Sequence, residues 1–192
     1  MEKLAFSDIK PLAEYEQERA GFRRRIIELK AHRRIALGPS ITLVFENRDT
    51  VRFQIQEMLR VEHIEERRKV LDELEAYNGL IPEEGTLSAT LFIEITEAGR
   101  IKEWLDRLMG IDRPGRLWLE LGGERCPAEF EAGHSNETQL SAVHYLRFRL
   151  TPVHQRRLAD PSLAARLGID HPHYQASAEL GLQTRQSLLT DL

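Results

Sequence analysis

The chain has 192 residues with 27 Lys and Arg against 31 Asp and Glu, and its net charge of -4 excludes a general attraction to nucleic acid or anionic lipid. Its single cysteine excludes an intramolecular disulfide, a four-cysteine zinc site and a self-contained iron–sulfur cluster. The sequence begins with no secretory signal and holds no run of about 20 apolar residues, so we expect one soluble cytoplasmic domain over residues 1–192, with no membrane partner.

The first predicted element is a charged helix over about residues 13–35, which a Leu-Gly-Pro segment ends. Its apolar stripe is extended by Arg33 and contains Phe22, Ile26 and Leu29. A separate basic face runs from Arg23 to Arg34 and is the surface that would contact nucleic acid. The acidic net charge and the lack of a base-stacking platform disfavour a nucleic-acid partner.

A buried strand is predicted over residues 41–45, because apolar residues alternate there. Four consecutive polar residues follow it: Glu46, Asn47, Arg48 and Asp49. A short acceptor side chain can satisfy backbone N–H groups that have no partner inside a helix. Asn47 or Asp49 is therefore expected to cap the next helix.

That next helix carries a distinct stripe of side chains on each of two sides. One stripe contains Val51, Ile55, Met58 and Leu59, and the other contains Phe53, Glu57 and Arg60. We expect contacts on both sides of the helix. A polar recognition site is predicted here, and its candidate residues are Arg33, Glu46, Asn47, Arg48, Asp49, Gln54, Glu57, Arg60 and His144. A capped helix start with a network of ion pairs is the structural alternative.

The rest of the chain alternates helix and strand signals. A helix is predicted over residues 62–77, strands over 87–95, 117–121, 124–131 and 140–150, and two helices at the C-terminal end. Gly122-Gly123 predicts a hairpin turn, and Thr151-Pro152 predicts a capped helix start. The predicted fold class is α+β, a mainly antiparallel sheet of about four to five strands covered by N-terminal and C-terminal helices.

His144 occupies an inward position of the last predicted strand, where the pattern places an aliphatic side chain. It is either a neutral core histidine or a ligand or acid–base group, with His134 in the preceding loop. His171-Pro172-His173 is expected before a helix, and it favours capping over metal binding. No metal site is predicted. Cys126 is expected to be a small buried core residue.

Three long segments are distinctive: YEQERAGFRRRIIELKAHRRIALGPSITLVFENRDTVRFQIQEMLR, ELEAYNGLIPEEGTLSATLFIEI and HPHYQASAEL, followed by LLTDL. Together they resemble a known bacterial family, the domain of unknown function 3501. The resemblance spans nearly the whole chain. The resemblance implies that the gene often lies beside genes for rubrerythrin-like di-iron proteins and an iron–sulfur oxidoreductase. It therefore implies a role in peroxide defence or electron transfer.

The chain itself is not expected to be the di-iron protein, since that centre needs Glu-x-x-His motifs in a helical bundle. We interpret it as an accessory or partner protein of a bacterial redox or peroxide-defence module. The alternative is a small metal-binding or ligand-binding enzyme in which Glu46, Glu57 and His144 converge. Neither an enzymatic reaction nor a cofactor follows from these residues. A partner protein would show a polar network at these positions and an apolar patch elsewhere.

Overall fold

A computed structural model describes residues 1–96, 98–133 and 139–192 of the chain. Its strands are β1 (Arg34–Leu37), β2 (Ile41–Glu46), β3 (Thr86–Ile93), β4 (Leu117–Leu121), β5 (Glu124–Phe130), β6 (Val143–Arg149), β7 (Ala165–His171) and β8 (Tyr174–Glu179). Its helices are α1 (Leu12–Ala31), α2 (Arg48–Val61), α3 (Arg67–Asn78), α4 (Ile101–Arg107), α5 (Pro152–Ala159) and α6 (Leu182–Leu189). Two short 3-10 helices are Phe6–Asp8 and Ala98–Arg100.

The strands form one antiparallel sheet in the order β1-β2-β3-β6-β5-β4-β7-β8. The sheet curls until its two edges approach each other, so it is nearly closed and barrel-like. At the seam, the Tyr174 hydroxyl on β8 donates a hydrogen bond to the carbonyl of Leu37 on β1. The same hydroxyl accepts from the Ser40 backbone N–H at 3.2 Å. One tyrosine thus links both edge strands.

The inner face of the sheet holds the main hydrophobic core. Alternation along each strand sends one set of side chains inward, as in the register pairs Phe45–Ala89 and Ala89–Leu146. These residues are buried together with Leu158 of α5 and Leu188 of α6. The interior is therefore packed with side chains rather than open to a ligand.

Helices α1, α2 and α3 cover part of the outer face. The inward stripe of α2 is Val51, Ile55 and Leu59, and it packs in a second hydrophobic cluster with Val70 and Leu74 of α3. Helix α1 packs on α2 through a third, aromatic cluster. None of the helices in the described ranges is both long enough and apolar enough to cross a membrane.

The α+β class and the antiparallel pairing are confirmed, but the expected four to five strands were too few, since eight are present. The predicted first helix ends earlier, at Ala31, and Arg34–Leu37 forms strand β1. Alternating exposure in this segment fits its pairing with β2. Both expected C-terminal helices are present, as α5 and α6, but the strands β7 and β8 between them were not expected. These strands form a hairpin in which His171 ends β7 and Pro172-His173 make the turn, so this segment does not lie before a helix as expected.

Candidate functional site

The polar network on α2 is centred on Glu57. Its Oε1 accepts hydrogen bonds from Tyr15 Oη at 2.7 Å and from Arg19 Nε at 2.8 Å. Its Oε2 accepts from Arg19 Nη2 at 2.9 Å, so the arginine binds the carboxylate with two parallel bonds. These bonds from Arg19, aided by Tyr15, lower the pKa of Glu57 to about 2. Glu57 is thus an ionised, fully paired carboxylate that joins α1 to α2.

Neighbouring charges on α2 also have intramolecular partners. Arg48 Nη2 lies 2.8 Å from Asp8 Oδ2, and Arg60 Nη1 lies 3.4 Å from Glu16 Oε1. Asp49 pairs with an arginine one turn further along the helix. Gln54 is half-buried on the same helix. These contacts form the network of ion pairs that the structural alternative to a recognition site describes.

The start of α2 is capped as predicted, by Asn47. Its Oδ1 accepts from the backbone N–H of Asp49 at 3.1 Å and of Thr50 at 3.0 Å, and Thr50 Oγ1 accepts from Asn47 N. Glu46, which is 1% exposed, accepts from the hydroxyls of Thr50 and Thr90 at 2.5 and 3.0 Å. The Glu46 carboxylate is therefore buried beneath the helix start and bound by two hydroxyls.

Arg33 lies away from this network. Its side chain is fully buried and forms an ion pair with Asp191, with Nη1–Oδ2 at 2.6 Å and Nη2–Oδ1 at 3.0 Å. Its Nε donates to Ser187 Oγ at 2.9 Å. The interpretation of Arg33 as part of a site with the residues of α2 is wrong, because the segment after α1 points this side chain toward α6.

His144 is buried in the inner core, as its register predicted, with 1% exposure. Its Nε2 lies 2.9 Å from the carbonyl oxygen of Ser141, and its ring meets Phe130 edge to face. Its register partner is Leu91 of the inner core, whereas the register partner of Glu46 is Ser88 on the outer face. Glu46, Glu57 and His144 therefore do not converge, because strand alternation places His144 on the opposite face. His134 lies outside the described residues.

The other titratable candidates are also engaged. Burial lowers the pKa of His171, whose Nε2 lies 3.1 Å from the Met109 carbonyl oxygen. Burial raises the pKa of the Cys126 thiol to about 11, so the thiolate that would react is scarce. Within the described ranges, no three His, Cys, Asp or Glu side chains are grouped to hold a metal ion.

The basic helix face proposed for nucleic acid is not continuous. Helix α1 ends at Ala31, and Arg34 belongs to strand β1, where its Nη2 lies 2.6 Å from Glu94 Oε1. The predicted basic face is therefore divided between a helix that holds Arg23 and a strand that holds Arg34. This geometry does not favour the nucleic-acid alternative.

An open apolar groove lies between the N-terminal segment and the helices α2 and α3. Its volume is about 260 Å³. Seven of its lining side chains are apolar and two are charged: Phe6, Ile9, Pro11, Leu12, Leu59, Ile64 and Val70, with Lys10 and Glu65. Sequence reasoning missed this groove, because it combines a segment near residue 10 with helices that begin about 40 and 60 residues later.

Comparison with known families matches residues 3–192 to the model described as "Protein of unknown function (DUF3501)". The chain belongs to the DUF3501 family. This DUF3501 protein is 32% identical to a protein of unknown function from Burkholderia pseudomallei K96243 whose crystal structure is known. The match covers 100% of both chains, with a TM-score of 0.91. A search of curated proteins gave no match.

Proposed function

We propose that this DUF3501 protein is a cytoplasmic accessory protein that binds a protein partner of a bacterial redox or peroxide-defence module. The apolar groove of about 260 Å³ carries the proposal. An apolar side chain that fills the groove removes its lining from contact with water, which favours association. The single cysteine, buried in β5, agrees with a reducing compartment.

The occupant we propose is a large apolar side chain on an amphipathic helix of the partner. A cavity of about 150 Å³ is known to hold a benzene ring, so this groove has room for an aromatic anchor. Glu65 also lines the groove, so an anchor flanked by a basic residue complements its charge, whereas the Lys10 ammonium already pairs with Glu18 at 2.5 Å.

The polar residues of α2 support an accessory role over catalysis at that helix. Glu57 is held in its ionised form by Arg19, and Glu46 is buried under two hydroxyls. A general acid or base works best with a pKa near the working pH, and the pKa of Glu57, at about 2, is far below it. The redox identity of the partner rests on the family resemblance, which associates such chains with rubrerythrin-like and iron–sulfur proteins.

Binding should be measured between the purified chain and each of these two proteins from the same genome, at physiological salt. We expect Ile64→Glu, which places a charge in the groove, to weaken binding at least tenfold, or about 1.4 kcal/mol. The matched control is Leu182→Glu on α6, where the side chain is already 58% exposed and outside the groove. Failure of both candidate partners to bind, or equal weakening by both variants, would reject the proposal.

A further inference from the structure

We propose a second, separate site on the outer face of the sheet, which binds a small zwitterion with one carboxylate and one ammonium group, of the size of glycine. It is a pocket of about 110 Å³ beside the end of α3. The pocket is lined by Ser88, Arg147 and Glu131, among others. The site does not depend on the groove between the N-terminal segment, α2 and α3.

The register of three strands builds this pocket. Ser88 of β3 pairs with Arg147 of β6, and Arg147 pairs with Glu129 of β5. Side chains of register partners point to the same face of a sheet, so these three lie in one row. Tyr145 lies two positions before Arg147 on the same face of β6 and also lines the pocket. The sheet therefore fixes a hydroxyl, a guanidinium and a carboxylate side by side.

The hydroxyl of Ser88 is the feature of this pocket that points to a ligand. Its side chain is buried, with 3% exposure of the residue, and its Oγ has no hydrogen-bond partner among the residues that the structure describes. A buried hydroxyl without a partner is unfavourable, and folded proteins rarely leave one unpaired. A ligand oxygen in the pocket would accept a hydrogen bond from this hydroxyl.

Arg147 supplies the positive charge. Its Nη2 donates to the carbonyl oxygen of Gly79 at 2.7 Å, and it forms no ion pair with a carboxylate of the described residues within 4.0 Å. Glu129, its register partner, instead accepts a hydrogen bond from Arg149 at 2.7 Å. A guanidinium has five N–H donors, so several remain for a ligand. Two parallel bonds to one carboxylate are the geometry that this fork matches best.

Glu131 supplies the negative charge at the mouth of the pocket. It is exposed, and it is the diagonal neighbour of Arg147 across the strand pair, a separation of about 7–8 Å between such positions. Its charge contributes, after burial and Glu46, to the raised pKa of Tyr145. A carboxylate on Arg147 and an ammonium on Glu131 would match both charges. An engineered cavity of about 150 Å³ binds benzene, which has six non-hydrogen atoms, so this smaller pocket of about 110 Å³ fits about four or five, the size of glycine.

Titration of the full chain with glycine, followed by isothermal calorimetry and by backbone amide shifts, tests the site. Acetate, methylammonium and inorganic phosphate are the comparison probes. A ligand of glycine size is limited to a dissociation constant of about 10 µM to 10 mM. We expect glycine to bind in this range with amide shifts at Ser88 and Arg147, and each comparison probe to bind at least tenfold more weakly.

Variants separate the two charges. Arg147→Gln should weaken glycine binding about 10- to 100-fold, since hydrogen bonds to a charged group are lost. Glu131→Gln should weaken glycine binding but leave acetate binding unchanged. The matched control is Arg166→Gln on β7, whose side chain pairs with Glu179 outside the pocket. If Arg147→Gln does not fold, Ser88→Ala and Glu131→Gln carry the test.

Any one of four results overturns the proposal. Glycine that causes no saturable shift shows that the pocket holds water only. Acetate that binds as tightly as glycine, or glycine binding that is indifferent to Glu131→Gln, removes the ammonium from the ligand class. Inorganic phosphate that binds more tightly than glycine shows a general anion site instead.

Discussion

Replacing Asp191 by asparagine tests the buried Arg33–Asp191 ion pair, which connects the end of α6 to the segment before β1. Asp191 and Arg33 are 158 positions apart in sequence, and their side chains are 2% and 0% exposed. Asparagine keeps the size of the side chain but removes its charge. The guanidinium of Arg33 then remains buried without a counter-charge, which is the costly state.

The magnitude follows from the contacts that survive. Removing one partner of a buried ion pair costs about 3–5 kcal/mol. Arg33 keeps its hydrogen bonds to Ser187 Oγ and to the Ser187 carbonyl oxygen, and the asparagine amide oxygen can still accept one. We therefore expect the lower end, about 3 kcal/mol, which for a chain of this length lowers the melting temperature by about 6–12 °C.

Urea unfolding followed by circular dichroism at about pH 7 measures this loss. The control is Arg34→Gln, which breaks the half-exposed pair with Glu94 and should cost at most about 1 kcal/mol. A double variant, Arg33→Met with Asp191→Leu, should recover most of the loss, because it leaves no unpaired buried charge. If Asp191→Asn costs no more than Arg34→Gln, the buried ion pair contributes no more stability than the half-exposed one, contrary to this prediction.

Two further predictions concern α2 and the β4–β7 pair. Arg19 holds the pKa of Glu57 at about 2, below its ordinary 4.5. The Arg19–Glu57 ion pair therefore contributes its full stability above about pH 5 and loses it as the pH falls to about 2. Glu57→Gln should reduce the change in the free energy of unfolding over this pH range, measured with urea, by roughly 1–2 kcal/mol after allowance for solvent screening. An unchanged pH dependence would contradict this. Gly168→Ala places a Cβ 2.3 Å from Trp118 Cζ2 and should cost about 1–3 kcal/mol in thermal unfolding, whereas Gly181→Ala, with open space at Cβ, should cost less.

Elements with strong local signals were predictable from the sequence. The N-cap residue Thr151 and the first-turn proline Pro152 start α5 as expected, and Asn47 caps α2. The hairpin between β4 and β5 follows from Gly122-Gly123, where both residues have positive φ angles. In each case a few adjacent residues satisfy the backbone, so distant parts of the chain are not needed to decide the structure.

Strand β7, and with it its hairpin partner β8, was missed because β7 also pairs with the distant strand β4. Strand β1 pairs with the adjacent β2 and was missed because the first helix was predicted to extend into it. Strand β7 contains Gly168 and Asp170, two residue types that are rare in strands. The structure uses both, since the Trp118 ring packs over Gly168 and its Nε1 donates to Asp170 Oδ2 at 2.9 Å. Strand β4, which supplies this tryptophan, lies about 50 residues earlier. Single-sequence patterns do not contain such a pairing.

The candidate site shows the same limit at the level of side chains. The sequence places Glu57 on the outward side of α2, but its partners Tyr15 and Arg19 are 42 and 38 positions away. Glu46 was expected in the recognition site and is instead buried and bound by Thr50 and Thr90. Residue type thus indicates that a charged side chain needs a partner. The tertiary fold decides which partner it finds and whether any hydrogen-bond donor or acceptor remains for a ligand.

Strand β6 shows where binding capacity remains. His144 is the residue that departs from its sequence pattern, yet it lies inside the core with the Ser141 carbonyl oxygen 2.9 Å from its ring nitrogen. Arg147 follows the pattern of an ordinary outward residue, but it keeps donors beside Ser88, whose buried hydroxyl has no partner among the described residues. A polar side chain inside the core needs its partner within the fold, whereas a partly buried arginine on the outer face can keep N–H donors for a ligand. On this strand, the outward arginine is therefore the better guide to binding than the inward histidine.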